Sequence, residues 1–194
     1  MYKRQFHQVW GDFDVTIHMP AAYMIGGTGI LQNPEDCGHG YSEGPTPTEG
    51  MIDWHFVAED VIDFAWAADP DFVHKTLEME GGPTLHFIHQ ADTSYGAWEE
   101  LPAIAARAMQ YYGEHVGPYP WEQYTVIEGG DGGMEYPMCT LVRGNRSLRS
   151  LVGVTAHEMA HAWFQGLLAT NESLHEWMGS PPGLNPSSSR KSSM

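Results

Sequence analysis

His157, Glu158 and His161 stand in the pattern His-Glu-x-x-His, and that spacing is a chemical statement. On a helix, residues four apart lie one above the other on the same face, so both imidazoles can reach a single metal ion. Glu158 sits beside them, close enough to take a proton from a metal-bound water. The alternative is a buried helix whose two histidines are merely hydrogen-bonded. The neighbours Val152, Val154, Ala156, Ala160, Trp163 and Phe164 are apolar, as a buried metal helix requires. A second group, Gly132-Gly133-Met134-Glu135, lies upstream. Taken alone, Glu135 reads as a solvated loop carboxylate.

The elements that must position these residues are legible as changes of period. Phe13 to Met19 alternates with period two and ends at Pro20, which stops a ladder. Ile30-Leu31 follows Gly26-Gly27 as a short apolar run. Residues 51–57, 61–67, 72–78 and 84–89 are further strand candidates, each bounded by Gly, Pro, Asp or Asn, and together they suit an antiparallel layer. Residues 32–50 are rich in Pro, Gly and Ser and read as an exposed loop. Near residue 92 the period changes. Leu101, Ile104, Ala105, Ala108, Met109 and Tyr112 recur at three and four, which predicts an amphipathic helix from Trp98 to about Val116, ended by Gly117-Pro118. Residues 124–128 form a short strand, and residues 129–133 a glycine-rich turn. Residues 134–142 read as one further strand, which Pro137 demotes to an edge. A second helix opens near Ser147, carries the two histidines and frays near Ala169, and residues 171–178 begin another. From Gly179 onward Pro, Ser, Lys and Arg dominate, so residues 179–194 are expected to be disordered.

Composition narrows the function classes. A formal charge of −16 over 194 residues speaks against a nucleic-acid partner, which needs clustered Lys and Arg. No run approaches the roughly 20 apolar residues of a membrane span. Met1-Tyr2-Lys3-Arg4 leads into polar residues, so no secretory signal is visible. Cys37 and Cys139 form no Cys-x-x-Cys pair and imply no disulfide framework.

The stretch from Gly132 to Met138 resembles the Gly-x-Met-Glu-Asn signature of the membrane alanyl aminopeptidase family of zinc peptidases, which are of the gluzincin type. Residues 157–164, His-Glu-Met-Ala-His-Ala-Trp-Phe, are similar to that family's zinc helix, and residues 60–67 resemble the end of its amino-terminal β-domain. The resemblance covers most of residues 10–178. It implies an α+β chain in which residues 1–92 are the remainder of an antiparallel β-domain. Residues 93–178 would then begin a thermolysin-like catalytic domain. His157 and His161 would be ligands of one zinc ion and Glu158 the general base. Gly132, Gly133, Met134 and Glu135 would form the substrate-binding strand. Within it Glu135 would pair with the ammonium of a peptide's free amino terminus, the glycines would admit the substrate backbone, and Met134 would pack. The implied activity is hydrolysis of the first peptide bond, by a zinc metalloaminopeptidase.

The pattern also breaks. The family's third zinc ligand is a Glu at a fixed distance beyond the second His, and counted from His161 that position holds Ser180. A neutral hydroxyl does not replace a carboxylate in a His₂Glu site, and Pro181-Pro182 stops the helix that should present it. Glu172, His175 and Glu176 are poor substitutes, because a metal bond tolerates only about 0.2 Å of error. Tyr136 stands where the family has Asn, which alters the expected substrate pocket. The sequence is therefore expected to be a segment of a longer protein, interrupted near residue 178 and by itself inactive or nearly so. Two other readings stay open: a non-enzymatic module that binds peptide amino termini, and a generic zinc endopeptidase.

Overall fold

The computed structural model describes residues 10–91, 96–130 and 132–167. The expected helix over residues 171–178, Ser180 and the tail over residues 179–194 lie outside the described residues.

The amino-terminal half forms strands because its apolar residues alternate. In β1 (Gly11–Pro20), Phe13, Val15, Ile17 and Met19 turn inward. It pairs antiparallel with β4 (Met51–Val61), from Gly11 opposite Val61 to Pro20 opposite Met51. In β4 the same alternation buries Ile52, Trp54, Phe56 and Ala58. Between them, β2 (Met24–Gly27) pairs antiparallel with β5 (Trp66–Asp69), and β3 (Ile30–Leu31) pairs with β4. The strand expected over residues 61–67 is thus the end of β4, a break, and the start of β5. Asp60 takes a left-handed conformation (φ 52°) just before that break.

The expected loop over residues 32–50 is more anchored than its composition suggests. It holds a one-turn helix α1 (Pro34–Cys37), and Cys37 is buried against β4. The Tyr41 hydroxyl donates to the Ile25 carbonyl at 2.9 Å, while its ring contacts Trp54, His74 and His86. A small-residue loop becomes ordered when one aromatic side chain finds a pocket, and that is a tertiary event with no local period.

The remaining strands make a single five-stranded sheet in the order β6-β7-β8-β10-β9. These are β6 (Phe72–Glu78), β7 (Thr84–Gln90), β8 (Gln123–Glu128), β9 (Gly133–Tyr136) and β10 (Cys139–Val142). β7, β8 and β10 run parallel to one another, whereas β6 and β9 are antiparallel edges. Joining parallel neighbours requires a crossover. The helix α2 (Ala97–His115) supplies it between β7 and β8. β7, which precedes residue 92, is hydrogen-bonded to β8, which follows it, so one sheet takes strands from both sides of that position.

β8 shows why its sequence is apolar without alternation: Gln123 to Ile127 are all buried, since both sheet faces are covered. On one face Leu85, Phe87, Tyr124, Val126 and Val142 pack against α2 and α3 (Leu148–His161). On the other, Ile88, Ile127 and Cys139 meet Met24 of β2. Residues 134–142, expected as one strand, form the β9–β10 hairpin. Its turn is Pro137-Met138, with Met138 at φ 57°. Pro137 does mark an edge, because β9 is the outermost strand.

Candidate active site

α3 begins after Ser147, whose extended backbone precedes the first helical residue. Two hydrogen bonds fix its carboxy-terminal half. The Tyr112 hydroxyl of α2 donates to the Ala156 carbonyl at 2.9 Å, and the Trp163 indole donates to the Gly117 carbonyl at 2.8 Å. At Ala162 the helix passes into a π-helical segment, Ala162–Leu167, where a regular α-helix was expected. Such wider turns recur at functional sites because they re-aim side chains within a helix.

His157 and His161 are brought together as their spacing predicts. Their Nε2 atoms are 3.3 Å apart, and the rings lie nearly perpendicular at 82°. Two nitrogens bound to one tetrahedral zinc at about 2.05 Å are separated by about 3.3 Å. The pair therefore fits that ion without moving. Glu158 completes a group whose ligand atoms all lie within 4.8 Å of one another.

Glu135, on β9, reaches the same place. β9 pairs with β10 so that Glu135 lies opposite Thr140, and the Thr140 hydroxyl donates to the Met134 carbonyl at 3.0 Å. The Glu135 carboxyl lies against that of Glu158, close enough for the two to share a proton in a hydrogen bond. Burial chiefly, then the negative charge of Glu135 and that hydrogen bond, raises the Glu158 carboxyl to about 7.

The two glycines have different reasons. A Cβ on Gly133 would lie 2.2 Å from Glu158 Oε1 and 2.8 Å from Val154 Cγ2, so only glycine lets β9 rest on α3. A Cβ on Gly132 would meet nothing nearer than the Arg146 guanidinium, at 3.9 Å. That guanidinium donates to the Gly132 carbonyl at 2.8 Å and ties the glycine-rich turn to the start of α3. Tyr136 packs against the Met24–Ile88–Ile127–Cys139 cluster. Together with Ile62, Trp121 and Pro137 it lines a small recess beside Glu135 and His161. Sequence reasoning passed over Thr28, Gln123 and Arg146 and read Tyr112 only as part of a helix face. Each has a hydrogen-bond partner that no local pattern marks.

The fold is similar to that of a solved M1 zinc metallopeptidase. Of this chain, 84% superimposes on the crystal structure of M1 zinc metallopeptidase from Deinococcus radiodurans, covering 36% of that chain, with a TM-score of 0.60 and 19% identity. In sequence the chain is similar to leucine aminopeptidase 2 of Coccidioides immitis (strain RS), with 34% identity over 176 residues. That match covers 86% of this chain and 26% of the relative. It is also similar to leukotriene A-4 hydrolase of Xenopus laevis, 38% identical over 79 residues, which are 36% of this chain and 12% of that protein. No family model matches the sequence. The likenesses support the M1 aminopeptidase family at low identity. The chain spans about a quarter of the Coccidioides relative and less of the Xenopus one. Among the described residues no helix is long and apolar enough to cross a membrane.

Proposed function

We propose that this chain carries the zinc-binding helix and the amino-terminus-binding strand of an aminopeptidase. The observation that carries the proposal is the convergence of four side chains from two elements. His157 and His161 present nitrogens 3.3 Å apart, and Glu135 meets Glu158 beside them.

His157 and His161 would hold one zinc ion. Zinc, when bound, supplies Lewis-acid polarisation of a carbonyl and lowers the pKa of water to about 7. Glu158 is the general base: its carboxyl is placed near neutrality, where it both takes and returns a proton. Glu135 binds the ammonium of a peptide's free amino terminus, because a desolvated cation needs a fixed opposite charge. An arriving ammonium would replace the carboxyl–carboxyl hydrogen bond at Glu135 and leave Glu158 available as base. Gly132, Gly133 and Met134 lie along the strand that the substrate backbone follows. We place the start of the catalytic unit at β6 rather than at residue 93, since β6 and β7 belong to its sheet. Ser180, at the third-ligand position of the family pattern, leaves the 194-residue chain with hydrolysis near background.

The test compares binding of a short peptide with a free amino terminus and of its acetylated form, for the native chain and for Glu135→Gln. The proposal expects the native chain to prefer the free peptide and the variant to lose that preference. Equal binding of both peptides by the native chain would overturn it. Any residual zinc-dependent release of amino acids from aminoacyl-anilides should vanish in Glu158→Gln. Cleavage of an amino-blocked peptide at an internal bond would favour an endopeptidase instead.

A further inference from the structure

We infer that Thr28, in the amino-terminal strand layer, is a positioning residue for Glu135. The inference rests on the amino-terminus-binding reading of Glu135.

The β9–β10 hairpin turns at Pro137-Met138, and Met138 adopts a left-handed backbone there. A carbonyl at such a turn has no ladder partner, and a buried one requires a donor from elsewhere. The Thr28 hydroxyl supplies it, donating to the Pro137 carbonyl at 2.8 Å. The same hydroxyl accepts the Ala65 amide at 3.2 Å, while the Thr28 amide donates to the Ala65 carbonyl at 2.8 Å. Thr28 is fully buried, so water cannot replace any of these bonds.

Thr28 is itself held from both sides. The Gln123 carboxamide donates to the carbonyls of Gly27 (3.3 Å) and Gly29 (2.8 Å) and accepts the Thr125 hydroxyl at 2.8 Å. Gly29 has φ 90°, and a Cβ there would meet the Val57 carbonyl oxygen at 2.7 Å. The Gly27-Thr28-Gly29 segment is therefore held on both sides of Thr28, with its hydroxyl aimed at the Pro137 carbonyl. Pro137 lies in the turn two residues beyond Glu135, just after an edge strand whose only ladder partner among the described residues is β10. A strand with one neighbour needs further restraint to hold a carboxylate within a few tenths of an ångström, and Thr28 contributes it from the bend between β2 and β3.

Thr28→Val keeps the shape and removes the hydroxyl, Thr28→Ser restores it, and Thr28→Ala removes the hydroxyl with a smaller side chain should the valine variant fail to fold. Circular dichroism confirms folding, and calorimetry with the free and acetylated peptides reads the effect. Thr28→Val, or Thr28→Ala in its place, should weaken binding of the free peptide about five- to tenfold. Zinc affinity should stay unchanged, and Thr28→Ser should recover native binding. Unchanged preference for the free peptide in the folded hydroxyl-less variant, with that preference lost in Glu135→Gln, overturns this inference alone. Equal binding of both peptides by the native chain overturns the reading of Glu135 and this inference with it.

Discussion

Glu135 of the edge strand β9 lies against Glu158 of the zinc-motif helix, and Gly133 is the residue that lets strand and helix come so close. The distance from β9 to α3 is set by the absence of one Cβ. That dependence makes the site sensitive to a single methyl group at Gly133, in a way the adjacent Gly132 does not share.

Gly133→Ala should therefore destabilise the chain by about 1–3 kcal/mol, or displace the Glu158 carboxylate, because overpacked interiors rarely absorb an atom for free. Gly132→Ala should change stability by no more than about 0.5 kcal/mol, since its Cβ enters open space. Urea denaturation of the two variants checks the contrast, and an equal effect at both positions would refute it.

Tyr112→Phe removes the hydrogen bond to the Ala156 carbonyl, next to His157. The loss should be about 1 kcal/mol of stability. It should be accompanied by weaker zinc binding if that bond also holds the helix in place. Thermal unfolding with and without zinc separates the two effects.

His74 and His86 are hydrogen-bonded to each other at 2.9 Å beneath Tyr41. Burial lowers His74 to about 4, the bond to the His39 carbonyl opposing it, and burial with the charge of His74 lowers His86 to about 3. Below the unfolded value of about 6.5 the unfolded chain binds more protons than the folded one, so stability rises with pH in this window. The contribution is complete above about pH 6.5 and is lost progressively toward pH 4. The thermal midpoint should fall on acidification from pH 7 to 5, and less so in a His74→Phe/His86→Phe double variant. Identical slopes for the two proteins would count against it.

How much of this was legible in the sequence depends on the range of the interaction. β6 and α2 were readable almost residue for residue, because alternation and three-four recurrence are local signals of burial on one face. The histidine pair was readable for the same reason: a helix fixes the relation of residues four apart. The hairpin turn at Met138 was not, since β9 and β10 together carry the composition of a single strand. Nor was the pairing of β7 with β8 across residue 92, since the two strands meet only after the crossover helix has returned the chain. Thr28 was invisible between its glycines. A lone threonine in a turn acquires meaning only when Pro137 is folded against it.

Zinc titration by calorimetry tests the site most directly. The native chain should bind one ion, and His157→Ala and His161→Ala should each weaken that binding by at least about tenfold. Glu158→Gln should retain it. Zinc binding that survives the loss of both histidines would contradict the assignment of His157 and His161 as the metal site.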